Sequence, residues 1–121
     1  MAKILFIEDE VEIRVLVSEF LLFMGYEIVE AIDGVDGLEK VHKELPELIL
    51  CDLMMPKLDG YGFLEQHQRS VYAHIPVILV TAMMNMDYEL ISRGLNVKGY
   101  IRKPFNFEEL KQIIVDNILL A

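Results

Sequence analysis

The sequence predicts an α/β fold: a doubly wound, five-stranded parallel sheet with helices on both faces, built as one domain over residues 1–121. Three observations lead there. Five short runs with strand character recur along the chain. Segments whose apolar residues fall at three- to four-residue spacing separate them. Four of the five runs end abruptly in polar residues able to do chemistry.

The first run is Lys3-Ile4-Leu5-Phe6-Ile7, ending in Glu8-Asp9-Glu10. The period then changes, and Ile13, Leu16, Val17, Phe20 and Met24 mark an amphipathic helix that Gly25 stops. Tyr26 to Ala31 reads as a short strand broken by Asp33-Gly34. Val35, Leu38, Val41 and Leu45 mark a second helix, ended by Pro46. Leu48-Ile49-Leu50-Cys51 is apolar throughout, as a strand buried on both faces requires, and runs straight into Asp52. A Pro56 loop and an Asp59-Gly60 turn follow. Phe63, Leu64 and His67 suggest a third helix, with His67 a partly exposed member of it. Ile75 to Val80 is the fourth run and ends at Thr81-Ala82. Between Met83 and Gly94, Tyr88, Ile91 and Leu95 suggest a short helix. Val97 to Arg102 is the fifth strand and ends at Lys103-Pro104. Asn106 and Glu109 form a capping pair for the last helix, Phe105 and Leu110 are placed as a hydrophobic staple, and Ile113, Ile114 and Ile118 give its buried face.

Composition narrows the function classes. Of 121 residues, 54% are hydrophobic and 26% charged, enough for a core and unlike a disordered chain. A net charge of -9 argues against nucleic acid or an anionic membrane as direct partner and is compatible with cation binding. One cysteine excludes an internal disulfide and suits a reducing compartment, and Cys51 reads as a buried, inert thiol. Neither a signal peptide nor an apolar run of membrane-spanning length is present, so the expected location is the cytoplasm.

In a parallel sheet the C-terminal strand ends share one edge, and a strand order of 2-1-3-4-5, the flavodoxin-like arrangement, gathers Glu8-Asp9, Asp52, Thr81 and Lys103 around the third strand. Three carboxylates repel one another, and a hard divalent cation compensates them. An oxygen-only ligand set without a Cys/His pair points to Mg²⁺ and away from zinc. Lys103 adds a positive charge and Thr81 a hydroxyl, and metal, lysine and hydroxyl together suit a phosphoryl group. Asp52 is the candidate nucleophile for it.

These pieces are the acidic pair Glu8-Asp9, then Asp52 with Met55-Pro56 and Asp59-Gly60 behind it, then Thr81-Ala82 and Lys103-Pro104-Phe105. In combination the chain resembles the CheY-like receiver domains of two-component response regulators over essentially its whole length. The resemblance implies that Asp52 takes phosphate from a phosphohistidine on a histidine kinase or phosphotransfer protein. It implies that Glu8, Asp9, Asp52 and the backbone carbonyl of Met54 hold Mg²⁺, Glu8 through water. It implies that Thr81 and Lys103 bind the phosphoryl oxygens, that Tyr100 is the switch aromatic, and that the Lys103-Pro104 bond is cis. The expected output surface, for a protein target or a second copy, is the face of the fourth helix, fifth strand and last helix. Two departures stand out: Glu8 is longer than the Asp more usual there, and Gly94-Leu95-Asn96 replaces a small-residue run before the fifth strand.

Three other readings compete. A phosphohydrolase of the haloacid-dehalogenase type places a second Asp two residues after its nucleophile, where this chain has Met54. A flavin or nucleotide carrier needs a phosphate-cradling loop after the first strand, where Glu8-Asp9-Glu10 repels phosphate. An interaction module that keeps the fold without the chemistry is separated from a phosphoacceptor by a phosphorylation assay. The expected protein is a stand-alone switch, not an enzyme acting on an external substrate, whose only catalysis is its own phosphorylation and dephosphorylation.

Overall fold

The structure is a computed structural model and describes residues 2–84 and 86–119. Strands and helices alternate as the sequence periodicity requires: β1 (Lys3–Ile7), α1 (Val11–Phe23), β2 (Glu27–Ala31), α2 (Gly34–Glu44), β3 (Leu48–Cys51), α3 (Gly60–Gln68), β4 (Val77–Thr81), α4 (Met86–Ser92), β5 (Gly99–Arg102) and α5 (Phe107–Leu119). All pairings are parallel, in the order β2-β1-β3-β4-β5.

The central strands are apolar from Ile4 to Ile7, from Leu48 to Cys51 and from Val77 to Val80, because both faces are covered there. Alternate side chains of β1, β3 and β4 point to opposite faces. Leu5, Ile7, Ile49, Cys51, Val77 and Leu79 join Val41, Phe63, Leu64 and Leu90 from α2, α3 and α4. Ile4, Phe6, Leu48, Leu50, Ile78 and Val80 join Val17, Leu21, Leu110 and Ile114 from α1 and α5. Burying a large aliphatic side chain contributes roughly 1.5–3 kcal/mol, so this double layer holds the strand ends rigidly in register. Ile7 lies opposite Cys51 and Cys51 opposite Leu79, which brings the residues after β1, β3 and β4 to one edge.

The Asp-Gly pairs prove to be helix starts as well as breaks. Asp33 Oδ1 accepts from the Asp36 amide at 2.8 Å and Asp59 Oδ1 from the Gly62 amide at 2.8 Å, capping α2 and α3. Gly25, with φ 94°, turns the chain out of α1 as a helix C-terminus favours. The Asn106 side chain accepts from the Glu109 amide at 2.8 Å, while Glu109 reaches the Asn106 side-chain amide, not its backbone.

Sequence expectations need correction at His67, on α1, and on α2, where Val35 and Leu45 of the apolar stripe stand exposed and Leu45 lies just past the helix end. His67 is buried: its ring stacks on Phe63 and Nε2 lies 2.9 Å from the Ile75 carbonyl. Helical spacing places it correctly on the inner face of α3, but its polarity suggested a solvent position. Leu16 stands exposed on α1, as do Val11, Val15, Leu22 and Phe23, because this helix is apolar nearly all round and the sheet covers only one side of it.

Candidate functional site

β1, β3, β4 and β5 each deliver functional groups to the same edge. Glu8 follows β1, and its amide donates to the Ala31 carbonyl at 3.0 Å, which extends the ladder one residue beyond the strand. Asp52 follows β3 in the same way, its amide 3.1 Å from the Ile7 carbonyl. The Lys103 amide donates to the Thr81 carbonyl at 2.8 Å. The ladder itself therefore fixes the spacing of the acidic and basic groups. On the far side, Gly60 lets the start of α3 press on the loop: a Cβ there would sit 2.5 Å from the Asp52 carbonyl oxygen.

The side chains converge. Glu8, Asp9 and Asp52 can each offer an oxygen so that all three lie within 4.8 Å of one another. Glu8 is wholly buried, Asp52 is 4% exposed and Asp9 is half-buried. Lys103 Nζ donates to Glu8 Oε1 at 2.7 Å and to Asp52 Oδ2 at 3.2 Å. Asp52 Oδ1 accepts from the Leu53 amide at 2.7 Å and, at 3.4 Å, from the Met54 amide. Glu8 Oε2 accepts from the Glu10 amide at 3.2 Å. Burial pushes the Glu8 carboxyl up to about 7; the Lys103 hydrogen bond opposes this and the charge of Asp52 adds to it. Burial disfavours the Lys103 ammonium, yet the bond to Glu8 and the field of both carboxylates outweigh it and raise its pKa. The ammonium is thus the counter-charge of the pair.

The remaining expected residues surround this core. Thr81 is fully buried, and its hydroxyl oxygen accepts from the Met83 amide at 3.1 Å. The Lys103-Pro104 peptide is cis. Tyr100 is 45% exposed on β5, beside Arg102, Glu109 and Ile113. Met54 stands 64% exposed. Met83 is half-buried, with its sulfur 3.8 Å from the Tyr61 hydroxyl. Cys51 is buried and burial raises its thiol pKa well above the ordinary value, in line with an inert thiol.

Two residues of consequence were missing from the sequence reading. Arg14 Nη1 donates to the Glu8 carbonyl at 2.6 Å. Arg93 joins α3 to α4, pairing with Glu65 at 3.3 Å and Glu89 at 3.0 Å and lying over the Tyr61 ring. The signal for Arg14 was its place on the first turns of the helix that follows the acidic residues.

A donor set of three carboxylates, hard and exclusively oxygen, fits a small divalent cation such as Mg²⁺. Among the described residues no helix is long and apolar enough to cross a membrane.

Comparison with known proteins agrees with this geometry. Residues 4–115 match the response regulator receiver domain family. The chain is 38% identical over 109 residues to a probable transcriptional regulator, ycf27, of Porphyridium aerugineum, covering 90% of this chain and 45% of that protein. It spans less than half the length of this relative. Among solved structures, the receiver domain of the sensor histidine kinase PA1611 from Pseudomonas aeruginosa, with magnesium coordinated in its active-site cleft, is 26% identical. It superposes with a TM-score of 0.88 over 97% of each chain. The response regulator TrrA of Thermotoga maritima, in complex with Mg(2+)-BeF, is 32% identical with a TM-score of 0.86, covering 96% of this chain and 98% of that one. With five parallel strands in this order and the acidic cluster and lysine at their shared edge, the chain belongs to the receiver domains of two-component response regulators.

Proposed function

We propose that Asp52 accepts a phosphoryl group from a phosphohistidine of a histidine kinase or phosphotransfer protein, in a Mg²⁺-dependent reaction, and that the resulting change of shape is read by a protein partner. The observation that carries this reading is Lys103 bridging Glu8 and Asp52 at the C-terminal edge of the sheet, beside the acidic cluster. A carboxylate held by two backbone amides and one ammonium is fixed in direction, and positioning is most of what a protein contributes to phosphoryl transfer.

In the transfer, an Asp52 oxygen forms a bond to phosphorus as the phosphorus–nitrogen bond of the donor breaks, and the imidazole leaves with the electron pair. Glu8, Asp9 and Asp52, with the backbone carbonyl of Met54, would hold Mg²⁺, which supplies positive charge between the carboxylates and the incoming phosphoryl oxygens. Lys103 leaves its resting contacts to pair with one of those oxygens, and the Thr81 hydroxyl donates to another. Drawing Thr81 inward vacates space near β5, and Tyr100 turns from its half-exposed position into it. The face of α4, β5 and α5 then changes shape and recruits a protein target or a second copy. The chain turns over no external substrate; its chemistry is its own phosphorylation and dephosphorylation. The acidic surface opposes direct contact with nucleic acid or an anionic membrane, so the signal passes to protein.

Incubation with acetyl phosphate and Mg²⁺, followed by mass spectrometry, tests the reading. One phosphoryl group is expected on Asp52 and none on Asp52→Asn. Modification elsewhere, or none with Mg²⁺ present, would overturn it.

A further inference from the structure

Arg14 is placed where a surface arginine has little reason to be. The chain carries a net charge of -9, and Glu10, Glu12 and Glu19 stand on or beside the same helix. The side-chain hydrogen bond of Arg14 among the described residues nevertheless goes to a neutral acceptor, the Glu8 carbonyl, at 2.6 Å. That bond is charge-assisted and short, the strong kind. The carbonyl belongs to the peptide joining Glu8 to Asp9, two members of the acidic cluster. On its other side Glu8 is held by its amide to Ala31 at 3.0 Å. The peptide plane between the two acidic residues is therefore clamped by Arg14, on α1.

We infer that Arg14 is a positioning residue for the divalent-cation site: by gripping the Glu8 carbonyl it fixes the direction in which the Asp9 side chain leaves the backbone. The inference rests on the reading above that Glu8, Asp9 and Asp52 hold Mg²⁺. Groups that orient metal ligands without touching the metal commonly set affinity by tenfold or more. Charge and geometry here oppose each other in sign. By Coulomb's law alone, removing a nearby positive charge makes a cation site bind more tightly. Loss of positioning makes it bind more weakly.

The test is calorimetric titration of Mg²⁺ into the full chain without a phosphoryl donor, on wild type, Arg14→Met and Arg14→Lys, with acetyl phosphate labelling rates measured alongside. Arg14→Met keeps the stem and loses the donor, and its Mg²⁺ affinity is expected to fall by roughly tenfold. Arg14→Lys keeps a charged donor of similar reach and should recover most of the loss. At saturating Mg²⁺ the labelling rate of Arg14→Met should return close to wild type, because Asp52 and Lys103 are untouched. Unchanged or tighter Mg²⁺ binding by Arg14→Met overturns the inference while leaving the phosphoacceptor reading intact. So does a labelling rate that stays low at saturation, or a loss that Arg14→Lys does not relieve. A wild type that takes no Mg²⁺ overturns the cation site and the inference together.

Discussion

Lys103 Nζ stands 2.7 Å from Glu8 Oε1 and 3.2 Å from Asp52 Oδ2, so the lysine expected to meet the phosphoryl group rests nearer to the first acidic residue than to the phosphoacceptor. The extra methylene of Glu8, compared with an aspartate, lets its carboxylate reach the ammonium. Removing one partner of a buried pair leaves the other uncompensated, at a cost of about 3–5 kcal/mol. Lys103→Ala should therefore lower the stability of the metal-free protein by about 3 kcal/mol at neutral pH, read from urea unfolding. It should still take a phosphoryl group on Asp52 but transmit little. With a beryllofluoride mimic, amide shifts at Tyr100 and along α5 should be large in wild type and small in the variant. Equal shifts in both would show that Lys103 does not carry the signal.

Asp9 is the least buried of the three carboxylates and has no resting partner among the described hydrogen bonds. The metal-free protein holds three acidic groups against one lysine, so Mg²⁺ should stabilise the fold. At a hundredfold excess over its dissociation constant the gain is about 2.7 kcal/mol. Asp9→Ala should abolish that dependence and, having removed a repulsive charge, melt no lower than wild type without metal. Thermal melts of both proteins with and without Mg²⁺ check this; coincident wild-type midpoints would count against the site.

His67 sets a pH dependence at the opposite end of the sheet. Burial lowers its pKa; the hydrogen bond to the Ile75 carbonyl raises it, and the neighbouring His74 lowers it again. With Nε2 donating to Ile75, the neutral ring presents Nδ1 as an acceptor, which has no partner among the described residues. In the unfolded chain the imidazole titrates near about 6.5. The folded pKa is the lower one, so as pH falls through about 6.5 the unfolded state takes up the proton first. Stability contributed by His67 is complete above that value and declines as pH drops toward the folded pKa. Glu8, raised to about 7, acts in the other direction, adding stability as pH falls through its folded value. The difference between wild type and His67→Leu isolates the histidine. The advantage of wild type should shrink on going from about pH 7.5 to about pH 5.5; a constant difference would mean that His67 does not titrate.

The legible part of the molecule is the part set by period and by strand ends. Leu48-Ile49-Leu50-Cys51, apolar throughout, reads as a strand with both faces covered, and Asp52 beyond it falls on the edge where open α/β sheets place their ligands. The sheet order followed from asking which arrangement gathers Glu8, Asp52, Thr81 and Lys103. Contacts that depend on a third dimension were not legible. His67 looks polar in sequence but takes a core place because Phe63 covers its ring and the chain brings the Ile75 carbonyl to Nε2. Arg14 stands on the first turns of the helix after the acidic residues, but that placement does not say that its side chain reaches the Glu8 carbonyl. The stretch from Met83 to Gly94 was ambiguous because its apolar residues Met84, Tyr88 and Ile91 face solvent, so they mark no single buried stripe.

Met54 and Met83, two residues after Asp52 and Thr81, should set how long the phosphorylated state lasts. An aspartyl phosphate is lost when water attacks phosphorus in line, opposite the Asp52 oxygen, and the likeness to receiver domains implies that these two positions lie beside that approach. A thioether is at best a weak acceptor and can neither orient nor deprotonate water. The structure distinguishes the two side chains. Met83 is half-buried, its sulfur 3.8 Å from the Tyr61 hydroxyl on α3, whereas Met54 stands 64% exposed. Self-hydrolysis should be slow, and Met54→Asn combined with Met83→Glu should quicken it by roughly tenfold, a barrier change of about 1.4 kcal/mol. Met54→Asn alone should supply most of the change, because Met54 is the more exposed of the two side chains and Met83 is half-buried. Phosphate release after removal of the donor, at constant Mg²⁺, gives the rates. If the double variant decays no faster than wild type, the methionines are not the gate; if Met83→Glu alone gives the full acceleration, position 83 and not position 54 governs the approach.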